Sequence, residues 1–460
     1  MKHKIKRIHF IGIGGVGMSG IAEVLHNLGY LVSGSDVMAS SNTDRLKALG
    51  IKIYIGHKAS NIKNCDVIVS STAISALNPE IIAGNEAGIT IVPRAMMLAE
   101  LMRFKYGVAI AGTHGKTTTT SLCAEVLSQC GLDPTFIIGG KLAVTDSNAK
   151  LGSGEYLVAE ADESDASFLY LNPLISVVTN IDLDHMDTYD HDEGKLKQTF
   201  VDFLHRLPFY GCAILCNEDT RIKEIIPQIK RRIVTYGLSD ASDIYATDIV
   251  NKSGQMCFNV CIKELNLVYP IILNTPGEHN VLNSLAVIAV ALECDGTIED
   301  IAKGLKNFHG VGRRCQHYPD IQKDHKTIKL VDDYGHHPVE LRATISALKN
   351  AYPKQRMILV FQPHRYTRTR DLFDDFVGVL SEVDTLVLLE VYPAGEVPIP
   401  QADGKSLANA IRLRGKVNII FVKDLADARE VLFNIMENND LIVTMGAGSI
   451  GKLPQMLIAR

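Results

Sequence analysis

The stretch VAIAGTHGKTTTT, residues 108–120, constrains the fold of this 460-residue chain more than any other feature. Its apolar start predicts a buried strand, and a glycine turn with a lysine and four threonines then opens a helix. The ammonium of Lys116 suits the β- and γ-phosphates of a nucleotide, and the hydroxyl of Thr117 suits Mg²⁺. Ile110 stands where the first glycine of the usual P-loop belongs. The stretch predicts a nucleoside triphosphate site in an α/β fold.

A second glycine loop, FIGIGGVGMSG from Phe10, lies between a predicted strand and an amphipathic helix. Its Gly12, Gly14 and Gly17 have the spacing G-x-G-x-x-G, which lets the backbone approach a diphosphate at the helix start. Asp36 ends the next predicted strand, where a carboxylate that binds ribose is expected. The pattern alone predicts a ligand with a diphosphate and a ribose, and it does not identify a nicotinamide.

A third glycine loop, with Gly446, Gly448 and Gly451, follows the predicted strand DLIVTM. Nine residues remain after Gly451, which leaves no room for a further strand with a ribose-binding carboxylate. We therefore expect a strand-to-helix turn at the carboxyl edge of a sheet.

Strand and helix patterns alternate along the chain, which favours an α/β fold with mainly parallel sheets. The length exceeds that of one ordinary core, and the pattern restarts near residue 100 and again near HGVGRRCQ. We predict three domains. These are a Rossmann-like N-terminal domain at 1–102, a central P-loop ATPase domain at 103–311 and a Rossmann-like C-terminal domain at 312–460.

Composition narrows the class of protein. The 47 basic and 52 acidic side chains give a formal charge of −5, which argues against a general binder of nucleic acid or anionic membranes. No apolar run reaches the roughly 20 residues that span a bilayer, and a glycine-broken N-terminus argues against a signal peptide. The nine cysteines lack a zinc-binding pattern, so we expect reduced thiols in a cytoplasmic protein.

Charged groups follow several predicted strands. YLVAEADESD from Tyr156 and VVTNIDLDHMD from Val177 carry acidic clusters, which would bring a metal ion to the phosphates beyond the strand ends. Arg365 and Arg368 are three residues apart and would share a helix face that suits a carboxylate or a phosphoryl group. The alternative for each cluster is a solvated charged loop.

The motifs resemble those of the Mur ligase family. In order they are GIGGVGMSGIAE, GSD, AGTHGKTTTT, EADESD, NIDLDHMD, PGEHNVLN, GVGRR, DDYGHHP, QPHRYTRTRD and MGAG, from about residue 6 to residue 452. The resemblance implies an ATP-dependent amide-bond-forming ligase of peptidoglycan synthesis. The most similar branch joins L-alanine to the lactyl carboxylate of UDP-N-acetylmuramate through an acyl phosphate, giving ADP and phosphate. It also implies no nucleic-acid partner, no membrane insertion, and a monomer or weak homodimer.

The resemblance further assigns residues to each ligand. The UDP substrate would contact Gly12, Gly14, Gly15, Gly17, Asp36, His57 and Ser71. ATP would contact Gly112, Thr113, His114, Gly115, Lys116, Thr117, Thr118, His279, Asn280, Asn283, Arg314 and Asp333. Mg²⁺ would be bound by Thr117, Glu160 and His185. The groups nearest the chemistry would be Lys116, His185, Tyr334, His336, Arg365 and Arg368.

Other interpretations remain open. A nucleotide-sugar dehydrogenase explains the first loop but not Lys116, and a motor or transport ATPase explains Lys116 but not the first domain. A ligase that recycles murein peptides, or a folate polyglutamate ligase, shares the chemistry on another substrate. Sister Mur ligases carry a carbamylated lysine shortly after the histidine of NIDLDHMD. That position falls here at Thr199 or Phe200.

Overall fold

The computed structural model of the chain describes residues 4–71, 73–142, 147–252, 254–323 and 325–459. The chain forms two compact units. The first contains Met1–Asp248, Phe258–Ile272 and Leu282–Phe308, and the second contains Ile249–Cys257, Leu273–Val281 and His309–Arg460. All nine cysteines are free thiols. Within the described residues, no helix is long and apolar enough to cross a membrane.

The N-terminal part of the first unit is a parallel five-stranded sheet. Its strands are β1 (Arg7–Ile11), β2 (Leu31–Asp36), β3 (Lys52–Ile55), β4 (Val67–Ser70) and β5 (Thr90–Pro93). Its helices are α1 (Val16–Asn27), α2 (Ser41–Ala48), α3 (Pro79–Glu86) and α4 (Arg94–Met102). The strand order is β3-β2-β1-β4-β5, so the direction of winding reverses between β1 and β4. Such a reversal opens a ligand crevice at the carboxyl ends of the strands.

A ten-stranded sheet follows. Its strands are β6 (Tyr106–Ala111), β7 (Thr135–Leu142), β8 (Ser147–Lys150), β9 (Tyr156–Glu160), β10 (Ile175–Val178), β11 (Cys212–Cys216), β12 (Arg232–Gly237), β13 (Ile244–Lys252), β14 (Gln255–Ile262) and β15 (Leu267–Leu273). Its helices are α5 (Lys116–Gln129), α6 (Glu193–Leu204), α7 (Thr220–Ile225), α8 (Glu278–Glu293) and α9 (Ile298–Asn307). The order β11-β10-β6-β9-β7 places β6, which leads into the P-loop, between the two strands that precede the acidic clusters.

The C-terminal sheet belongs to the second unit. Its strands are β16 (Gln316–Lys323), β17 (Lys326–Asp333), β18 (Met357–Phe361), β19 (Thr385–Leu389), β20 (Asn418–Val422) and β21 (Leu441–Met445). Its helices are α10 (Pro338–Ala351), α11 (Tyr366–Asp371), α12 (Phe373–Leu380), α13 (Gly404–Arg414), α14 (Leu425–Ile435) and α15 (Leu453–Ile458). Only β16 pairs antiparallel among the described strands of this sheet, and apolar clusters cover both faces.

The predicted α/β fold with mainly parallel sheets is confirmed. Helix α4 begins only at Arg94, directly after β5. Pro93 holds an extended conformation and disfavours a helical residue before it, so the preceding residues join the sheet as β5.

Helix α1 of the N-terminal sheet packs against β7 and β8 of the neighbouring sheet. The buried side chain of Asn148 in β8 donates to the carbonyl oxygen of Val16 at 2.7 Å and to Ser19 Oγ at 3.3 Å. The side-chain oxygen Oδ1 of Asn148 accepts a hydrogen bond from Arg45 Nη1 at 3.1 Å. Gly20 allows the close approach, since a Cβ there would lie 3.2 Å from Ile137 Cγ2. These contacts fix the first turn of α1 on the central sheet.

We expect Asn148→Ala to lower the free energy of unfolding by about 1–3 kcal/mol, because it removes three hydrogen bonds made by a buried amide. Chemical denaturation measures the change. The control is Asn85→Ala on the exposed surface of α3, where the same substitution removes no described hydrogen bond of the side chain. Equal stability of the two variants would contradict the anchoring role of Asn148.

Candidate active site

The predicted contacts of the UDP substrate lie at one edge of the N-terminal sheet. Gly12 follows β1, Asp36 ends β2, His57 follows β3 and Ser71 follows β4. The register pairs Ile11 with both Ser35 and Ser70, so the four strands end at the same level. The structure therefore brings these residues to the crevice where the winding reverses.

The glycine loop is held by hydrogen bonds to β2. Gly12 has a φ of +80°, and the N–H groups of Gly12 and Ile13 donate to the carbonyl of Ser35 at 2.8 and 3.0 Å. Gly14 donates to Asp36 Oδ2 at 2.8 Å. A Cβ on Gly14 would lie only 2.8 Å from the same oxygen, so a larger residue there would displace the carboxylate of Asp36. Asp36 thus shapes the loop in addition to occupying the expected position for a ribose ligand.

Gly15 differs from Gly14. It has an ordinary φ of −61°, and a Cβ there would meet nothing closer than the carbonyl oxygen of Gly12 at 3.5 Å. The protein's own packing therefore does not require glycine at the N-cap of α1. The N-terminus of α1 is left open at this residue, which the predicted contact with a phosphate requires.

The P-loop turns between β6 and α5. Gly112 and Gly115 have φ values of +122° and +85°, which L side chains rarely adopt. Lys116 Nζ donates to the carbonyl oxygens of Gly112 and Thr113 at 2.6 and 3.1 Å, and it lies 2.8 Å from both carboxylate oxygens of Glu163. The lysine is thereby held over the loop that the sequence predicts to bind phosphates.

Carboxylates outnumber cations around Lys116. Burial lowers the pKa of Lys116, but Glu163, Asp162 and Glu160 outweigh that effect and raise it. Burial also raises the pKa of Glu163 to about 7, against the opposing charge of Lys116. Three carboxylates beside one lysine create a negative field that suits a divalent cation.

The predicted metal ligands follow three neighbouring strands. Thr117 is the second residue of α5 after β6, Glu160 ends β9, and His185 lies in the loop after β10. Glu160 Oε1 accepts from the N–H of Gly139 at 2.6 Å, which orients its carboxylate. His185 has a φ of +55°, and its Nε2 lies 3.6 Å from Asp184 Oδ2. The carboxylate and hydroxyl oxygens of Glu160 and Thr117 are donors that Mg²⁺ prefers, whereas the imidazole of His185 is not, so two of the three predicted ligands have the donor type that suits the ion.

The second acidic loop is bonded directly to the P-loop. The N–H of His114 donates to Asn180 Oδ1 at 2.8 Å, and the N–H of Asp182 donates to Thr113 Oγ1 at 2.8 Å. His114 Nε2 also lies 3.2 Å from Asp182 Oδ2. A Cβ on Gly115 would lie 2.8 Å from Asn283 Oδ1, so the predicted adenine contact Asn283 lies beside the loop.

The positions at which sister ligases carry a modified lysine have other roles here. Thr199 Oγ1 donates to the carbonyl of Lys195 within α6 at 2.8 Å. Phe200 is fully buried and packs edge-on against Phe168, with ring centroids 5.2 Å apart. Neither side chain has an amine that a carbamate needs.

In the second unit, the predicted ATP contacts His279, Arg314 and Asp333 lie close together. Burial lowers the pKa of His279, with the charge of Asp333 opposing and that of Arg314 adding to the effect. The carboxylate of Asp333 accepts from the N–H groups of Gly335 and Cys315 at 2.7 and 2.8 Å. Asn280 donates to the carbonyl of Pro276 at 2.6 Å.

A second group in this unit surrounds His336. The ring of His336 lies edge-on to the ring of Tyr334, and its centroid is 5.8 Å from that of the His364 ring. The sequence analysis assigned no role to His364. Burial lowers the pKa of His336 and of His364 to about 4, and the charge of Arg368 contributes to both shifts. Both imidazoles are therefore neutral at pH 7.

The expectation that Arg365 and Arg368 share one helix face is wrong. Arg365 precedes α11 with a φ of +71°, outside the helix, and its side chain is 48% exposed. Arg368 lies inside α11 and is 8% exposed. The helix begins one residue too late for the two side chains to follow helical spacing.

The third glycine loop is a packing turn in the described structure. It leads from β21 into a short 3₁₀ helix at Ser449–Lys452. A Cβ on Gly446 would lie 2.6 Å from the backbone carbonyl oxygen of Gln362. A Cβ on Gly448 would lie 2.7 Å from the side-chain Oε1 of the same residue. The close approach of Gln362 explains both glycines, in agreement with the predicted strand-to-helix turn.

Sequence reasoning missed a link between the first two glycine loops. Arg94 at the start of α4 lies beside Gly17, where a Cβ would be 3.3 Å from its Cδ and Nη1. Arg94 Nη2 donates to Asp162 Oδ2 in the first acidic cluster at 3.3 Å. The diphosphate loop and the P-loop site are thus joined through one ion pair.

Two parallel sheets thus each carry a glycine loop at the carboxyl ends of their strands, and an ion pair joins the two loops. Models of the Mur ligase family catalytic domain, the Mur ligase middle domain and the Mur ligase glutamate ligase domain match residues 7–106, 110–291 and 313–448. The chain therefore belongs to the Mur ligase family. The predicted family, enzyme class and three-domain α/β fold are confirmed.

Comparison with individual proteins shows which members of the family this chain is similar to. The chain is 58% identical to the UDP-N-acetylmuramate–L-alanine ligase of Chromobacterium violaceum, with 100% of this chain and 99% of that protein covered. It is 59% identical to the same ligase of Laribacter hongkongensis, at 100% and 98% coverage. The crystal structure of the UDP-N-acetylmuramate–alanine ligase from Thermotoga maritima matches with a TM-score of 0.84 at 27% identity, over 99% of this chain and 98% of that one.

We expect Gly15→Ala to weaken binding of UDP by roughly ten-fold or more, because its methyl group would occupy the approach to the helix N-terminus at a cost of about 1–3 kcal/mol. The melting temperature should change little, since the Cβ has room in the free protein. Calorimetric titration with UDP measures the affinity.

Gly378→Ala in α12 is the matched control, because a Cβ there meets only Arg414 Nη1 at 3.9 Å. Unchanged UDP affinity in Gly15→Ala would show that no phosphate approaches this glycine.

Proposed function

We propose that this ligase joins L-alanine to the lactyl carboxylate of UDP-N-acetylmuramate at the expense of ATP. The observation that supports it most is the Arg94–Asp162 ion pair, which joins a diphosphate loop to a triphosphate loop within one compact unit. A dehydrogenase needs no second loop, and a motor ATPase needs no first loop. The names of the relatives that match the whole chain supply the substrate and the amino acid.

The reaction proceeds in two transfers. The lactyl carboxylate attacks the γ-phosphorus of ATP and forms an acyl phosphate, with ADP as leaving group. The amine of L-alanine then attacks the acyl carbon, loses a proton and expels phosphate. Lys116 stabilises the charge that develops on the transferred phosphoryl group, because its ammonium is held at the mouth of the P-loop.

Glu160, His185 and Thr117 would hold Mg²⁺, which supplies charge neutralisation between the phosphates when it is bound. ATP replaces Glu163 as the partner of Lys116, since a phosphate and this carboxylate compete for the same ammonium. Asn283 contacts adenine from α8. Gly12, Gly14, Gly15, Gly17, Asp36, His57 and Ser71 hold the UDP group.

The second unit supplies the amino-acid side. Within this unit, His279, Asn280, Arg314 and Asp333 are the proposed contacts of ATP, and Tyr334, His336, Arg365 and Arg368 are the proposed contacts of L-alanine and the acyl phosphate. The corresponding domains are 1–102, 103–311 and 312–460. We place the enzyme in the cytoplasm, where ATP and UDP-linked sugars are available, as a monomer or weak homodimer.

The direct test of the proposal is release of phosphate with ATP, UDP-N-acetylmuramate and one amino acid or peptide at a time. Turnover with L-alanine, far above that with glycine or with a murein tripeptide, is the expected result. Preference for the tripeptide would replace the proposal with a recycling ligase, and no turnover with any UDP-linked acceptor would reject the class of substrate.

Lys116→Met should lower kcat by roughly a thousand-fold, because a preorganised charge at the transferred phosphoryl group is lost. Binding of UDP should persist, since that site lies on the other sheet. Steady-state kinetics and UDP titration measure the two quantities.

Removal of Lys116 also leaves Glu163 buried without its ion-pair partner, which can destabilise the fold by itself. The double variant Lys116→Met/Glu163→Gln removes that charge, and exposed Lys63→Ala is the surface control. Near-normal kcat in a folded double variant would exclude Lys116 from the chemistry.

Arg368→Gln should raise KM for L-alanine and lower kcat, because a buried guanidinium beside His336 is lost from the amino-acid side. A lost charge-assisted contact of about 1.5–3 kcal/mol predicts a ten- to hundred-fold fall in kcat/KM. The matched control is Arg370→Gln, which removes an exposed arginine from the same helix. If Arg368→Gln altered UDP affinity alone, the assignment would be wrong.

A further inference from the structure

A buried hydrogen-bonded network lies under the crevice of the N-terminal sheet. Its centre is Glu80, the second residue of α3, whose side chain is completely buried. Ser35 Oγ donates to Glu80 Oε2 at 2.5 Å, and Asn61 Nδ2 donates to Oε1 at 2.6 Å. The N–H of Lys58 also donates to Oε1, at 3.2 Å.

Glu80 is a carboxylate at neutral pH. Burial alone would raise its pKa, but hydrogen bonds from His9, Ser35 and Asn61 outweigh burial and lower the pKa to about 2. An ionised carboxylate can only accept hydrogen bonds. The single hydroxyl proton of Ser35 must therefore point at Glu80.

The direction of the Ser35 hydroxyl proton determines which ring nitrogen of His57 carries a proton. Ser35 Oγ also lies 2.9 Å from His57 Nδ1, and its own proton is already donated. Ser35 Oγ can therefore only accept a hydrogen bond from His57, so Nδ1 of His57 must donate it. Glu80 Oε2 lies 3.5 Å from the same nitrogen and favours the same arrangement. In neutral His57 the proton is thus on Nδ1, and Nε2 carries a lone pair.

His57 stands at the carboxyl end of β3, beside Asp36, and its side chain keeps 12% exposure. The ring can therefore present Nε2 to a base bound in the crevice. Uracil carries a donor at N3, whereas cytosine carries an acceptor at that position. We propose that Glu80 and Ser35 are positioning residues that fix the Nδ1–H tautomer of His57, so that its Nε2 accepts from N3–H of uracil and rejects cytosine. The inference rests on the proposed UDP substrate and deepens it to the choice of base.

Two measurements on the full-length protein test the proposal. Long-range ¹H–¹⁵N correlation spectra of ¹⁵N-histidine-labelled protein, assigned with His57→Gln, report which ring nitrogen carries the proton. Calorimetric titration with UDP and with CDP gives the ratio of their Kd values. We expect Nδ1–H in the wild type and a clear preference for UDP.

Glu80→Gln allows an amide N–H to point at Ser35, so the hydroxyl proton can turn to His57 and release its tautomer. Ser35→Ala removes the hydroxyl that accepts from Nδ1 and leaves only Glu80 Oε2, at 3.5 Å, to favour that tautomer. Glu80→Gln should lower the preference for UDP over CDP by roughly ten-fold or more, and Ser35→Ala should lower it by less, since a mispaired hydrogen bond in a buried site costs about that much in affinity. Ser128→Ala is the control, because Ser128 is an exposed serine of α5, on the other sheet and outside this network. It should retain the wild-type ratio.

A proton on Nε2 of wild-type His57 would overturn the proposal even if both variants failed to fold. An unchanged ratio in folded Ser35→Ala and Glu80→Gln would overturn it as well. Failure of the proposed function gives a different result, namely a wild-type protein that does not bind UDP.

Discussion

The buried ion pair between Lys116 and Glu163 is the interaction on which the arrangement of the central site depends. An ammonium at the start of α5 has a high desolvation cost, and a carboxylate at 2.8 Å offsets that cost while ATP is absent. Burial raises the pKa of this carboxyl to about 7 even though Lys116 lowers it, so the carboxylate is lost as the pH falls below neutral. The two groups therefore stabilise each other in the charged state, and a phosphate that takes the lysine must compensate the carboxylate as well.

Strand β7 connects this centre to the diphosphate loop. Its Gly139 N–H orients Glu160, and its Ile137 packs against Gly20 in α1. The partner strand β8 adds Asn148, which binds the carbonyl of Val16 at the first turn of α1. A single hairpin thus contacts a candidate metal ligand and the phosphate-binding helix. A reaction between a UDP-linked carboxylate and ATP requires that these two sites keep a fixed separation, and the hairpin provides it within one compact unit.

The sequence predicted the features that depend on local pattern and failed on those that depend on distant partners. Buried strands such as β18 and β21 consist almost entirely of apolar residues. The glycine loops after β1 and β6 have a spacing that is recognised from the sequence alone. Strand β16 reads QHYPDIQK, mostly exposed and with a proline at a register shift, so it becomes a strand only by pairing with β17. Arg94 and Glu80 have no motif of their own. Their roles arise from contacts 68 and 45 residues away in the chain, which no local pattern contains.

The three glycine loops show why a shared spacing does not imply a shared role. At Gly14 and Gly446 a Cβ would collide with an oxygen of the protein itself, so each glycine is explained by packing. At Gly115 the left-handed backbone excludes other residues whatever the ligand. Gly15 has neither constraint, because its φ is −61° and a Cβ there would meet no atom closer than 3.5 Å. The packing of the protein therefore explains Gly446 in the C-terminal loop but does not explain Gly15 in the N-terminal loop, although the two loops have the same spacing.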